Sequence, residues 1–164
     1  MSPRAAWRLE SLGYIDVFEY AAGLADWMGA GLPFEGTKTR GVSLLDVVRQ
    51  DVPTCALDER VGALRERVRA GDWDTCLVVN DRRVVLGRLY VTELEGDPER
   101  TAEEAMRPGP STYRPDIPAA EMLDVMEQHD LNTAPITSSD GTLVGLVLRD
   151  DLRKAVGHRH RAAE

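Results

Sequence analysis

Cysteine is scarce in this chain: Cys55 and Cys76 are the only two in 164 residues, and their spacing is not that of a metal-binding pair. Reduced thiols and a cytoplasmic location are the corresponding expectation. No apolar run approaches the roughly 18 residues of a membrane-spanning helix, so no membrane partner is expected. The N-terminus lacks the charged start, apolar core and small-residue cleavage site of a secretory signal. Excess positive charge is missing as well. Acidic side chains outnumber basic ones 28 to 20, for a net charge of −8. Such a surface repels phosphate backbones, which argues against nucleic acid as a partner. Basic residues gather only at the C-terminus, where Arg153, Lys154, His158, Arg159, His160 and Arg161 read as a solvated helix end. His158 and His160 stand two positions apart, which separates them on a helix, so no metal site is expected. His129 reads as a solvent-facing helix end.

What the chain does contain is an internal repeat. Thr54 and Thr112 stand 58 positions apart, and the same offset joins Arg49 to Arg107, Asp58 to Asp116 and Asp72 to Asp130. It also joins Thr75 to Thr133, Gly87 to Gly145 and Leu94 to Leu152. The apolar pattern follows without insertion: Leu64 matches Met122, Val68 matches Met126, Val78 matches Ile136 and Leu89 matches Val147. Seven identities alone would be weak; with shared periodicity they indicate duplication.

Each copy opens with a capping box, Ser43–Asp46 or Thr101–Glu104, that signals a short helix. An extended stretch follows at Val52–Ala56 or Ser111–Arg114. Then comes an amphipathic helix, with Val61, Leu64 and Val68 in register in the first copy and Ala119, Met122, Leu123 and Met126 in the second. Two strands and a turn follow: Thr75–Val79 with Val84–Tyr90, and Ala134–Thr137 with Thr142–Leu148. A closing helix starts near Thr92 and near Asp150, and Gly96-Asp97-Pro98 links the copies. A unit of about 55 residues is too small to bury a core alone, so two copies are expected to pack sheet to sheet and leave a cleft.

This order resembles the CBS domain (cystathionine β-synthase domain), a module found in tandem. The residues that carry the resemblance are Ala105-Met106-Arg107, Thr112–Asp116, Asn132–Ile136 and Gly141–Leu152. The likeness spans residues 42–157, about 70% of the chain, and is looser in the first copy. It implies an α/β (α+β) fold of two β-α-β-β-α repeats with pseudo-twofold symmetry, preceded by a short helix-strand-helix segment. The domains implied are 1–36, 37–97 and 98–164.

The resemblance further implies a noncatalytic regulatory module, with AMP, ADP, ATP or S-adenosylmethionine as its ligand and no required cofactor. A homodimer and an effector protein are the partners it suggests; a ligand-free interaction scaffold is the rival reading. The family motif Gly-x-x-Thr/Ser-x-x-Asp appears as Gly145–Asp151, with Leu148 in place of the hydroxyl, and as Gly87–Glu93, with Tyr90 and Glu93 replacing both signature residues. Asp151 would accept the ribose hydroxyls, while Thr112, Tyr113, Ala134 and Pro135 would line the site. Arg114 and Arg149 would face phosphates. Glu93 and Thr54 are the corresponding residues of the weaker first site. Asp151 reads equally as a first-turn acid that steadies its helix, and Thr54 and Thr112 equally as strand starts.

The first 36 residues stand outside the repeat. Ala5–Tyr14 reads as a helix, Ile15–Tyr20 as a strand, and Gly23–Ala30 as a helix closed by Gly31-Leu32-Pro33. The segment resembles the last third of a rhodanese domain through Gly23, Trp27, Gly31 and Pro33. That family's catalytic cysteine would lie upstream, and no cysteine precedes Cys55. A relic or a truncation is therefore expected, and no sulfurtransferase activity.

Overall fold

The 58-residue offset reappears as equivalence in space. A computed structural model describes residues 2–18, 23–30, 32–33, 42–71 and 73–162. Glu19, Tyr20, Gly31, Gly36 and Asp72 lie outside the described residues, and so do the side chains of the basic tail from His158 onward. Helices α1 (Ser2–Ser11) and α2 (Gly23–Gly29) precede the repeats. The first repeat comprises a 3-10 turn (Leu44–Asp46), β1 (Thr54–Cys55), α3 (Val61–Ala70), β2 (Thr75–Val79), β3 (Val85–Tyr90) and α4 (Val91–Leu94). The second comprises α5 (Ala102–Ala105), β4 (Arg107–Pro108), α6 (Ala119–Gln128), β5 (Thr133–Thr137), β6 (Leu143–Leu148) and α7 (Arg149–Ala162).

Both expected caps form. Ser43 Oγ accepts from the Leu45 amide at 3.3 Å, and Thr101 exchanges backbone and side-chain bonds with Glu104 in a complete capping box.

The first sheet runs β1-β2-β3-β4, with β1 parallel to β2 and the rest antiparallel. In the second, β5 and β6 pair antiparallel and are flanked by single bridges, Tyr113 to Ile136 and Arg49 to Leu146. Under the 58-residue offset, with Arg49 moved forward and the other three moved back, these become Cys55–Val78 and the Arg107–Arg88 pair of the first sheet. Each sheet thus takes its outer edge from the opposite repeat. That crossing needs a bare backbone on the strand it meets. A Cβ on Gly87 would stand 2.8 Å from Met106 Cγ, and one on Gly145 would stand 2.5 Å from the Arg49 carbonyl oxygen.

Strands β2 and β5 are buried on both faces, so side-chain alternation sends their residues to two different cores. Cys76 and Val78 join Cys55, Leu64, Val68, Leu89, Leu94 and Ala102 under the helices of the first repeat. Ala134 and Ile136 join Leu44, Ala119, Met122, Met126, Val147 and Leu152 in the second. Leu77 faces the other way and meets Val52, Leu143 and Leu146 between the sheets. The pseudo-twofold axis passes where Val84 bridges Thr142. There the Leu143 amide donates to the Arg83 carbonyl at 2.9 Å and the Val85 amide to the Gly141 carbonyl at 3.1 Å, and these two bonds are equivalent under the offset.

The N-terminal strand is not formed over the described Ile15–Phe18. Among the described residues no strand offers them a ladder, and an unpaired strand leaves its amides and carbonyls to water. Ile15 and Phe18 are 96% and 90% exposed. Trp7 is exposed too, whereas Trp27 is half-buried and Met28 is buried. Asp26 ties the segment to the second repeat, accepting from the Ser139 amide at 2.6 Å and from the Ser139 hydroxyl.

Candidate functional site

Helix α7 begins directly after β6, which places Asp150 and Asp151 in its first turn. The Asp151 carboxylate opens on a cleft of about 490 Å³ lined by Asp46, Val47, Val48, Arg49, Lys154 and Ala155. Arg49 Nε donates to Asp151 Oδ2 at 2.7 Å, and Lys154 Nζ stands 3.9 Å from Oδ1. Bonding to Asp151 raises the Arg49 guanidinium above its ordinary pKa. The cleft combines a carboxylate that can accept vicinal hydroxyls, two cations and two valine side chains for an apolar ring.

The equivalent acid of the first repeat is Glu93, and its partner is the equivalent arginine. Arg107 Nε donates to Glu93 Oε1 at 2.8 Å. Glu93 also accepts from the Tyr90 amide at 3.0 Å and so caps α4. Burial opposes its charge, but Arg107 and that amide outweigh burial and hold the carboxyl below the usual range. Here the ring of Tyr90 is stacked by two guanidinium groups, Arg107 at 4.9 Å and Arg88 at 4.5 Å. Arg88 is 5% exposed. Its Nε donates to Thr75 Oγ1 at 2.8 Å and its Nη2 to Thr133 Oγ1, so one buried cation joins two equivalent threonines across the pseudo-axis. Burial pushes its pKa down.

A second cleft, of about 460 Å³, lies between the repeats and is lined by Trp73, Asp74, Asn132, Thr133, Leu148, Arg149 and Asp150. The sequence-derived lining residues divide around these two spaces. Asp151 lines the first and Arg149 the second. Thr112, Tyr113, Ala134 and Pro135 line neither; Tyr113 serves the ladder, donating its amide to the Pro135 carbonyl at 2.9 Å. Thr54 sits at the start of β1, and its carbonyl accepts from Arg67 at 2.9 Å.

The expected phosphate arginines are committed elsewhere. Arg114 donates to Thr137 Oγ1 at 2.7 Å and to the Ser138 carbonyl, closing the β5 end of the hairpin. Arg149 ties Asp130, at 3.0 Å, and Asn132 to the start of α7. The cations that do face Asp151, Arg49 and Lys154, were missed as site residues. Yet Arg49 and Arg107 formed one of the seven repeat identities, which was the signal available. The thiols are buried, and a Cys55 contact together with burial raises the Cys76 pKa, which leaves it unreactive.

Residues 102–158 match the sequence profile of the CBS domain family. A curated relative, inosine-5'-monophosphate dehydrogenase of Halobacterium salinarum, is 29% identical over 124 residues. The alignment takes in 73% of this chain and 25% of that protein, so the chain spans about a quarter of its relative's length. Two solved structures are similar in fold. CBSX2 in complex with AMP has a TM-score of 0.65 at 16% identity, covering 74% of this chain and all (100%) of that one. The CBS domain pair of protein MJ0100, in complex with 5'-methylthioadenosine and S-adenosyl-L-methionine, has a TM-score of 0.61 at 16% identity, covering 72% and 98%. The comparisons lend no support to a rhodanese origin for the N-terminal segment. Over residues 102–158 the chain is similar to the CBS domain family, and the repeat region has the α+β fold of the CBS-pair structures.

Proposed function

We propose that this chain is a noncatalytic regulatory module whose second repeat binds an adenosine-type ligand, with Asp151 accepting the ribose hydroxyls. The observation that supports this reading is the position of Asp151, in the first turn of α7 with Val47, Val48, Arg49 and Lys154 around it. Occupancy would be reported through the seating of residues 46–49, which the first repeat contributes, on the core of the second. A thermal-shift screen with AMP, ADP, ATP and S-adenosylmethionine tests it: a ligand that binds the folded state raises stability as RT ln(1 + [L]/Kd). Asp151→Ala should weaken binding by about 1.5–3 kcal/mol. No shift with any of the four overturns the reading.

One observation favours a ligand-free scaffold instead: Arg107, Glu93 and Tyr90 are already joined to one another in the first repeat. A homodimer belongs to either reading. Val61, Leu64, Val68, Met122 and Met126 lie in the intramolecular core and offer a partner nothing, so a dimer would form through other surfaces. Light scattering that returned a monomer mass at all micromolar concentrations would exclude it.

A further inference from the structure

The two acids at the signature positions, Asp151 and Glu93, are each met by the arginine that the opposite repeat supplies, Arg49 and Arg107. The two ion pairs are related by the 58-residue offset and lie across the same repeat boundary. They differ in how firmly the arginine is held. Arg107 is bonded to Glu93 and stacked on Tyr90 at 4.9 Å, and Tyr90 is itself clamped by buried Arg88. Arg49 has Asp151 on one side and only a more distant ring, Trp73 at 5.9 Å, on the other. Trp73 lines one cleft and Asp151 the other, so Arg49 stands between residues of both.

We infer that Arg49 is the specificity-determining residue of the Asp151 site: it competes in cis with the ribose for Asp151, and it yields only to a ligand that brings its own anion. This rests on the reading above that Asp151 takes the ribose. A neutral nucleoside must displace the guanidinium and leaves it unpaired. A nucleoside phosphate offers that guanidinium a new acceptor within the same cleft, beside Lys154. The ligand class is therefore an adenosine phosphate rather than an uncharged adenosine derivative. The sequence alone does not reveal this, because the residue that discriminates comes from the other repeat.

Calorimetric titration of the full chain with AMP and with adenosine tests the inference. The parent is expected to bind AMP at least about ten-fold more tightly than adenosine. Arg49→Ala should raise adenosine affinity about three-fold, because a part-exposed ion pair competes weakly, and lower AMP affinity about ten-fold. Arg49→Lys should keep most of the preference. Arg107→Ala should move neither affinity. Should the Ala variant fail to fold, as judged by circular dichroism, Arg49→Met retains the stem against Trp73 and carries the same expectation.

If Arg49→Ala lowers the adenosine affinity too, or leaves both affinities unchanged, the competition is absent and the inference falls while the Asp151 site stands. If neither ligand binds the parent or any variant, the site reading falls and takes the inference with it.

Discussion

Two copies of one sequence unit have been finished differently. At the signature positions the second repeat has Leu148 and Asp151, and the first has Tyr90 and Glu93. The longer acid reaches back to cap its own helix through the Tyr90 amide, while the shorter one does not and is left facing a cleft. The aromatic ring attracts two guanidinium groups, which leucine cannot do. Three changes, at 88, 90 and 93, thus turn one of two equivalent places into a structural joint. Duplication supplies the geometry of a site, and a few side chains decide whether it stays open.

Equivalent substitutions in the two repeats test how deep that difference runs. The largest effect is expected at the crossing glycines. Gly145→Ala should cost about 3 kcal/mol in urea unfolding, because its Cβ would press on the Arg49 backbone. Gly87→Ala should cost only about 1 kcal/mol, because the obstacle there is the flexible Met106 side chain. Equal costs would mean that the two crossings are the same.

Next comes Glu93→Ala, which removes a cap and an ion-pair partner and should lower stability by about 1 kcal/mol without weakening AMP binding. Weakened binding would show that the first site is open after all.

A smaller gain is expected from Arg83→Gly. Arg83 has φ +60°, and its equivalent, Gly141, has φ +86°. Relief of a left-handed arginine, offset by the freer unfolded chain, should add at most about 1 kcal/mol. A loss of stability would mean that the Arg83 side chain matters more than its backbone.

The smallest effect separates the two hairpin turns. In the first, the Asn80 amide oxygen accepts from the Arg82 and Val84 amides, both at 3.0 Å. In the second, Asp140 accepts from Ser138 Oγ at 2.6 Å and the Thr142 amide at 3.0 Å. These bonds depress the Asp140 carboxyl to about 2. A depressed acid contributes its stability above its ordinary pKa and loses it as pH falls through the folded value. The Thr142 amide should therefore lose exchange protection between about pH 4 and pH 2, while Val84, held by an uncharged amide, should not. Parallel loss at both amides would refute the distinction.

Strands β2, β3, β5 and β6 were legible from the sequence to within a residue, because they are short, apolar and bounded by turns at the same offset. Strand β4 was not anticipated, and of Ser111–Arg114 only Tyr113 forms a bridge. The position of the proposed ribose acid is set by the motif, which places Asp151 relative to Gly145. Its surroundings are not. Arg49 lies 102 positions from Asp151, and only the crossing of sheet edges brings them together. The bonds made by Arg114 and Arg149 are hidden in the sequence for a related reason. A free arginine and one that satisfies hairpin carbonyls look alike until the carbonyls in need are known. Alternation over Ile15–Tyr20 suggested a strand, but among the described residues no strand pairs with Ile15–Phe18.

The exchange of edges between repeats also bears on how the chain acquires its structure. Leu44, from the opening of the first repeat, fills the core of the second, and Ala102, from the opening of the second, fills the core of the first. A ribosome that has released only the first repeat has therefore made a sheet without its fourth strand and a core without its Ala102. Its early leucine meanwhile waits for helices not yet synthesised. Folding must bring together segments far apart in the chain, which slows it and ties both halves to one transition. A cut at the linker is therefore expected to yield two incomplete halves rather than two small domains.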